Sequence, residues 1–180
     1  QKFTPDGAFV SQLNGLGYGN KDGEIQVPTK IRIDDSDFLY LIDGLSRIQK
    51  FTLDDRFISN WGSHGTGSGM FDGPAGVAMD NNGYIYVVDR DNHRIQKFLP
   101  NGTFIKEWGG FGSGEGEFKY PDGIAIDSNG DLYVTDKMFI NRVQKFTSEG
   151  AFVKEWGSFG SAEGQFNRPI GIAVDKNDFV

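Results

Sequence analysis

Aspartate and arginine recur in pairs along the chain, and their types and spacing suit ion pairing or metal binding. Each aspartate closes an apolar run, and an arginine follows four to six residues later; the pairs are Asp43 and Arg47, Asp89 and Arg94, and Asp136 and Arg142. An aspartate that opens a polar loop commonly accepts hydrogen bonds from nearby backbone N–H groups. We therefore predict loop caps in which each aspartate also pairs with its arginine.

Calcium binding is the alternative at one of these loops. The segment Asp89-Arg90-Asp91-Asn92 has side-chain oxygens at alternating positions, and carboxylates are ligands that Ca²⁺ prefers. The segment lacks the glycine and the distal glutamate of an EF-hand loop. No cofactor is therefore predicted, and calcium remains the alternative.

The remaining reactive side chains are few. The chain has no cysteine and two histidines, His64 in a glycine-rich stretch and His93 before Arg94, so a structural zinc site is disfavoured. No serine, histidine and aspartate stand at a spacing that suits nucleophilic catalysis. Glycine-rich stretches at 65–69, 112–116 and 160–164 resemble phosphate loops, but no Lys-Ser/Thr follows them and no helix is predicted there. No catalytic residue is predicted.

The elements that carry these residues are repeated. The tripeptide Gln-Lys-Phe begins at Gln1, Gln49, Gln96 and Gln144, in steps of 48, 47 and 48 residues. A proline recurs at positions 28, 74, 121 and 169, with an aspartate six residues after each, and a tryptophan recurs at 61, 108 and 156. A period of this length is typical of solenoids and propellers.

One unit can be assigned to four short strands. Residues 123–127, 132–135, 142–146 and 151–156 are apolar or alternating, and the tight turns between them contain Asn129-Gly130 and Glu149-Gly150. Four antiparallel strands for each repeat of about 47 residues describe a propeller blade. We predict an all-β fold, a β-propeller of four-stranded antiparallel blades, in which Phe98, Phe146, Trp108 and Trp156 belong to the core.

The repeat resembles the NHL repeat. The matching residues are Pro74 to Asp80, Tyr86 to Asp89, Asp91 to Phe98 and the linker Trp108 to Phe118. Known NHL propellers commonly have six blades, so the resemblance implies that this chain is part of a six-bladed ring. The first full unit departs from the pattern at Ile31-Arg32-Ile33, and its linker, residues 15–26, lacks the Gly-Ser-Gly rhythm.

The repeat also predicts how the chain is divided. We expect the outer strands of a split blade at 1–13, complete blades at 28–62, 74–109 and 121–157, and the inner strands of a further blade at 168–180. The chain is therefore expected to be a fragment that begins and ends inside a blade. We expect its ends to lie apart and to face further blades or a second copy; the alternative is a closed ring of four blades.

Charge and hydropathy limit the partners. The formal net charge is −7, from 25 acidic and 18 basic residues, which disfavours nucleic-acid binding because such binding depends on Lys and Arg contacts to phosphates. No apolar run approaches the roughly 20 residues that span a bilayer. Either redox compartment is compatible with a chain that has no cysteine; we favour an extracellular or cell-surface location.

Loops on one face of the propeller are the candidate binding site. Met138, Phe139 and Ile140 are three apolar residues in a loop that is polar in the preceding repeat. Exposed apolar loop residues often mark a contact. Four other residues are expected on the same face: Arg90, Asp91, Phe111 and Phe159. We predict a non-catalytic scaffold that binds a protein or carbohydrate partner. The alternative is a propeller enzyme, of lyase or hydrolase type, whose active-site residues lie largely in absent blades.

Overall fold

The fold is all-β, as the repeat predicts. The computed structural model describes residues 1–12 and 17–180, and its described part forms four antiparallel sheets. A two-stranded hairpin comes first, with β1 at Lys2–Phe3 and β2 at Phe9–Ser11. Three four-stranded sheets follow, which we call blades one, two and three. No helix among the described residues is long and apolar enough to cross a membrane.

Each blade is a simple meander in which consecutive strands pair. Blade one comprises β3 (Lys30–Ile33), β4 (Phe38–Asp43), β5 (Arg47–Thr52) and β6 (Phe57–Trp61). Blade two comprises β7 (Pro74–Met79), β8 (Ile85–Asp89), β9 (Arg94–Phe98) and β10 (Phe104–Gly109). Blade three comprises β11 (Pro121–Ile126), β12 (Leu132–Asp136), β13 (Arg142–Phe146) and β14 (Phe152–Trp156).

The aspartate six residues after each proline shapes the first turn of its blade. In blade three, Asp127 Oδ1 accepts hydrogen bonds from the N–H groups of Asn129 and Asp131, and Oδ2 accepts one from the Tyr133 hydroxyl, at 2.9 to 3.0 Å. Asp34 and Asp80 make the same three kinds of contact in blades one and two. Because both oxygens are used, this aspartate fixes the hairpin and orients a buried tyrosine.

Phenylalanines join the blades, as predicted for Phe98 and Phe146, which are both completely buried. Phe98 contacts the ring of Trp61 in blade one and that of Phe71 in the crossover between the two blades, at centroid distances of 6.3 and 5.6 Å. Phe146 contacts Trp108 and Phe118 at the same two distances. Each interface between complete blades is thus built from one aromatic cluster.

The prediction that Trp108 and Trp156 belong to the core was wrong in degree, since both are only half-buried. They lie on the outermost strand, where one side of the ring remains at the rim of the blade. The Trp108 ring packs on the next blade at Gly150, where an added Cβ would lie 2.5 Å from the indole and where φ is +79°. The turn needs glycine for both reasons.

The two ends of the chain are in different surroundings. β1 pairs with β2, and Lys2 and Phe179 share no sheet among the described residues. Residues 168–180 contain no strand, although inner strands were expected there. In this segment the Asp175 N–H donates a hydrogen bond to the Phe179 carbonyl at 2.9 Å.

Residues 168–180 nevertheless lie against blade three. The Thr135 hydroxyl donates to the Ile170 carbonyl at 3.2 Å, and the Ser128 N–H donates to Asp178 Oδ1 at 2.8 Å. Residue 13 of the expected first segment, and Gly15 and Leu16 of the predicted linker 15–26, lie outside the described residues.

Candidate partner-binding cleft

The aspartate–arginine pairs are confirmed, and they fix the crossover segments that connect blades. In blade two, Asp89 Oδ2 accepts hydrogen bonds from Arg94 Nε at 2.7 Å and from Gln96 Nε2 at 2.9 Å. The other Arg94 nitrogens bind the Gly67 and Met70 carbonyls and Glu107. Blade two thus holds the crossover that leads into it, and it places its own loop, residues 90–93, beside that crossover.

The same pairing weakens in blade three. Arg47 Nε lies 2.9 Å from Asp43 in blade one, whereas Arg142 Nε lies 3.8 Å from Asp136 and has no hydrogen-bond partner although it is buried. The loops between the paired residues contain three, four and five residues in blades one, two and three. The longest loop therefore accompanies the longest ion pair.

Burial dominates the protonation of these aspartates. It raises the pKa of Asp136 to about 6, against the opposing effects of the Lys119 N–H hydrogen bonds and the Arg142 charge. Burial also raises the pKa of Asp89, although Asn92, the Asp72 N–H and Arg94 all oppose it. Blades two and three thus each hold a carboxylate whose charge is disfavoured by burial and compensated by its neighbours.

The calcium alternative meets competition from these contacts. The Asp91 carboxylate receives two hydrogen bonds of 3.0 Å from the Arg90 guanidinium, and Asp89 is occupied by Arg94, Gln96 and Asn92. Within residues 1–12 and 17–180, no group of three or more histidine or acidic side chains is placed to hold a metal. A calcium ion would have to displace both arginines; that no cofactor binds stays a prediction.

A cleft of about 450 Å³ opens between the loop of blade three, residues 137–141, and the crossover that follows it. It brings together three of the predicted residues, Met138, Phe139 and Phe159, and adds four polar ones: Lys137, Asn141, Asn167 and Arg168. The side chains of Phe139 and Phe159 are exposed to 77% and 66%, while Met138 is half-buried. Ile140 is half-buried beside the cleft but does not line it.

The loop of blade three directs Phe139 outward. Phe139 and Asn141 have φ values of +68° and +57°, a region that residues other than glycine seldom adopt. Asn141 is held there because its Oδ1 accepts a hydrogen bond from the Arg168 N–H at 2.6 Å. The crossover and the loop are therefore hydrogen-bonded to each other, and each contributes one of the two exposed phenylalanines to the cleft.

The other predicted residues lie one repeat away. Phe111 is 68% exposed, and one side of its ring contacts His93 at a centroid distance of 4.9 Å. Arg90, paired with Asp91, lines a smaller cleft of about 210 Å³ together with Asp122 and residues of blade one. The seven predicted residues thus form two groups, and only the group in blade three surrounds an apolar opening.

Side-chain size accounts for the difference between blades two and three at this place. In blade two, the His93 ring lies between Phe111 and Tyr120, with centroid distances of 4.9 and 5.2 Å. The equivalent positions one repeat later are Asn141 and Arg168. Asparagine is smaller than histidine, and the exposed Arg168 is no substitute for a tyrosine ring, so the space stays open. Arg168 and Asn167 were missed from the sequence, and aligning the crossovers residue by residue is the signal that finds them.

Comparison with known proteins agrees with this architecture. A family model described as NHL repeat matches residues 71–98 and 118–146. Human NHL repeat-containing protein 3 is 30% identical over 95 residues, which is 51% of this chain and 25% of that protein. The mouse protein of the same name is 31% identical over 86 residues, which is 46% of this chain and 23% of that protein. The chain therefore spans about a quarter of the length of the curated relatives it matches.

Solved structures share the fold. Virginiamycin B lyase from Staphylococcus aureus matches with a TM-score of 0.67 at 18% identity, over 98% of this chain and 53% of that one. The WD40 repeats of RRP9 match with a TM-score of 0.60 at 17% identity, over 77% of this chain and 40% of that one. One of these proteins is an enzyme and the other a WD40 repeat domain, so the likeness identifies a β-propeller and leaves its activity open.

Proposed function

We propose that this chain, which belongs to the NHL-repeat family and has a β-propeller fold, is a non-catalytic scaffold that binds a protein partner through its loop-rich face. The contact centres on Met138, Phe139 and Phe159, with Phe111, Arg90 and Asp91 one repeat away at its margin. An extracellular or cell-surface location stays a prediction.

The observation that supports this proposal is the pair of exposed phenylalanines, Phe139 and Phe159, that line one open cleft. Buried aromatic side chains remove 150 to 250 Å² each from water and dominate the energetics of many interfaces. Two such rings beside a cleft of about 450 Å³ offer the apolar centre of a contact, and the surrounding polar residues offer a rim. Loops on a rigid scaffold are also where binding residues concentrate.

The proposal can be tested by differential capture. The immobilised chain and a Phe139→Ser/Phe159→Ser variant are exposed to secreted and membrane extracts of the organism that encodes it. A matched control, Ile105→Ser/Val153→Ser, removes two apolar side chains that are exposed on outer strands. We expect a partner that the chain and the control retain and the cleft variant loses, with the loss reproduced by the purified partner in titration calorimetry.

Two results would contradict the proposal. One is a partner retained equally by all three proteins, which would place its binding elsewhere. The other is loss of a glycan, without any protein, from the cleft variant, which would establish the carbohydrate class of ligand.

The alternative function is a propeller enzyme of lyase or hydrolase type whose active-site residues lie largely in blades beyond these residues. Its support is the likeness to virginiamycin B lyase, which at 18% identity concerns the fold. Histidines at the first strands of flanking repeats would favour it, because a propeller gathers side chains from all its blades around one axis. The complete parent sequence discriminates between the two functions.

A further inference from the structure

We infer that the cleft of blade three recognises an acidic segment of a protein partner, one in which an apolar side chain is flanked by carboxylates. The inference rests on the proposed function and narrows it to one class of partner. It comes from the charges around the two phenylalanines.

Positive charge surrounds the cleft although the chain as a whole carries a net charge of −7. Arg168 and Lys137 line it, and the Lys119 ammonium lies 6.0 Å from the centre of the Phe139 ring. Lys137 is paired with the Asp122 carboxylate. Neither Arg168 nor Lys119 forms an ion pair with any described residue, so both remain available to a partner's carboxylates.

Comparison with the equivalent loop of blade two shows how the charge differs around the cleft of blade three. There the second loop residue after the strand-end aspartate is Asp91, which neutralises Arg90 through two hydrogen bonds. In blade three the corresponding residue is Met138, so the loop loses a negative charge and gains an apolar side chain. The next crossover adds Arg168 where blade two has Tyr120. All these differences move the cleft towards an apolar, cationic surface.

The apolar side chains of the cleft account for the apolar residue that we expect in the partner. Phe139, Phe159 and the flexible Met138 can enclose one aliphatic or aromatic side chain. A carboxylate beside that side chain would then lie within reach of Arg168, whose planar guanidinium binds carboxylates in a bidentate manner.

A neutral sugar fits the cleft less well. Each sugar hydroxyl that leaves water needs a hydrogen-bond partner, and an unpaired one costs about 1 to 3 kcal/mol. Asn141 Oδ1 is already used by the Arg168 N–H, which removes one side-chain acceptor from the cleft. Charge and hydrogen-bonding capacity therefore both favour an acidic peptide.

The test uses fluorescein-labelled peptides and the whole chain. The probe is Gly-Asp-Glu-Trp-Glu-Asp-Gly, and its neutral counterpart is Gly-Asn-Gln-Trp-Gln-Asn-Gly. We expect the acidic peptide to bind at least tenfold more tightly, with an affinity that falls as salt rises from low to physiological concentration, because exposed charges are screened. Chitohexaose serves as the neutral carbohydrate probe.

Variants of single residues locate the binding. Arg168→Gln is expected to weaken binding of the acidic peptide about tenfold and to reduce its salt dependence, while leaving the weak binding of the neutral peptide unchanged. Lys154→Gln is the matched control, because it removes an exposed lysine of blade three on the outer strand. The control should bind as the unaltered chain does.

A pair of exchanges between blades makes the test independent of any one variant. Asn141→His/Arg168→Tyr gives the cleft the side chains of blade two and should abolish binding. Circular dichroism and a retained unfolding midpoint would show that the variant is folded. Phe159→Ser in otherwise unaltered chain provides a second route to the same loss, should the exchange not fold.

The outcomes separate the two proposals. Equal binding of both peptides, equal loss in the Arg168→Gln and Lys154→Gln variants, or tighter binding of chitohexaose than of the acidic peptide would overturn the inference. If the acidic peptide fails while capture of a protein still depends on Phe139 and Phe159, the acidic class is wrong and the proposed function stands. If capture does not depend on those residues, the proposed function falls.

Discussion

Blades two and three share one framework and differ at their loops. In both, a phenylalanine at the third strand fills the interface with the preceding blade, and an aspartate, an arginine and a glutamine hold the crossover. The loop of blade two has four residues and that of blade three has five. The longer loop places Phe139 in solvent, and the Asp136–Arg142 distance is 3.8 Å instead of 2.7 Å.

The difference teaches where this repeat tolerates change. The aromatic interface is the same in both blades to a tenth of an ångström in its two main centroid distances. The loop face, by contrast, changes its charge, its apolar content and the geometry of a buried ion pair within one repeat. Specialisation at the surface of blade three therefore coincides with a weaker local electrostatic contact.

The largest expected effect tests the shared part of the comparison. Phe98→Ala and Phe146→Ala each remove a completely buried ring, so each should lower the free energy of unfolding by about 3 to 5 kcal/mol. Urea unfolding followed by tryptophan fluorescence measures the loss, and the two values should agree within about 1 kcal/mol. A loss below that size in either variant would mean that its interface is loosely packed and that the blades are not equivalent.

The buried ion pairs should respond unequally. Asp89→Asn removes the charge that Arg94 contacts at 2.7 Å, and we expect a loss of about 2 to 3 kcal/mol in the free energy of unfolding. Asp136→Asn should cost less, about 1 kcal/mol or below, because burial already disfavours that charge and Arg142 lies farther away. Chemical unfolding at neutral pH compares them, and equal losses would remove the distinction between the two loops.

Asp136 also predicts a pH dependence. Its folded-state pKa of about 6 lies above the ordinary value of 3.8, so between these values the folded chain holds a proton that the unfolded chain has released. The stability that this bound proton contributes to the folded chain is therefore fully present below about pH 4 and is lost as the pH rises to about 6. Above pH 6, Asp136 adds no further pH dependence to stability. Unfolding midpoints measured across this range should lose that slope in Asp136→Asn. If the Asp136→Asn variant keeps the same slope, the pH dependence of stability arises from other groups.

The smallest effect on stability is expected at the loop that distinguishes blade three. Phe139→Ser alters a side chain that is 77% exposed, so the free energy of unfolding should change by no more than about 0.5 kcal/mol. Phe71→Ser, at a completely buried aromatic position, is the contrasting control and should be strongly destabilising. A substantial loss in the free energy of unfolding of Phe139→Ser would show that the ring stabilises the fold instead of being exposed to bind a partner.

The sequence predicts the parts of the structure that every repeat must keep. Spacing alone indicates the four-stranded blades and the Asp89–Arg94 pair, because the same backbone geometry demands the same side chains each time. Spacing cannot predict that Trp108 stays half-buried, since that depends on how far the neighbouring turn covers it. Nor can it predict the role of Arg168, which arises only because a crossover meets a loop from the blade before it. Phe139 was found because it differs from the equivalent residue of the preceding repeat. Aligning the crossovers shows that Arg168 differs as well, but only the structure places it beside the loop of blade three.

The hydrogen bonds between each blade and the crossover before it have a consequence for folding during synthesis on the ribosome. Arg94 and Gln96 bind the carbonyls of Gly67 and Met70, so the crossover out of blade one gains these hydrogen bonds only after the third strand of blade two has been synthesised. Trp61 likewise finds its covering turn only at Gly102. Each nascent blade must therefore wait for about one further repeat of chain, and at the roughly 5 to 20 residues per second of translation that delay lasts seconds. A pause in elongation inside a repeat would prolong the exposure of an aromatic rim.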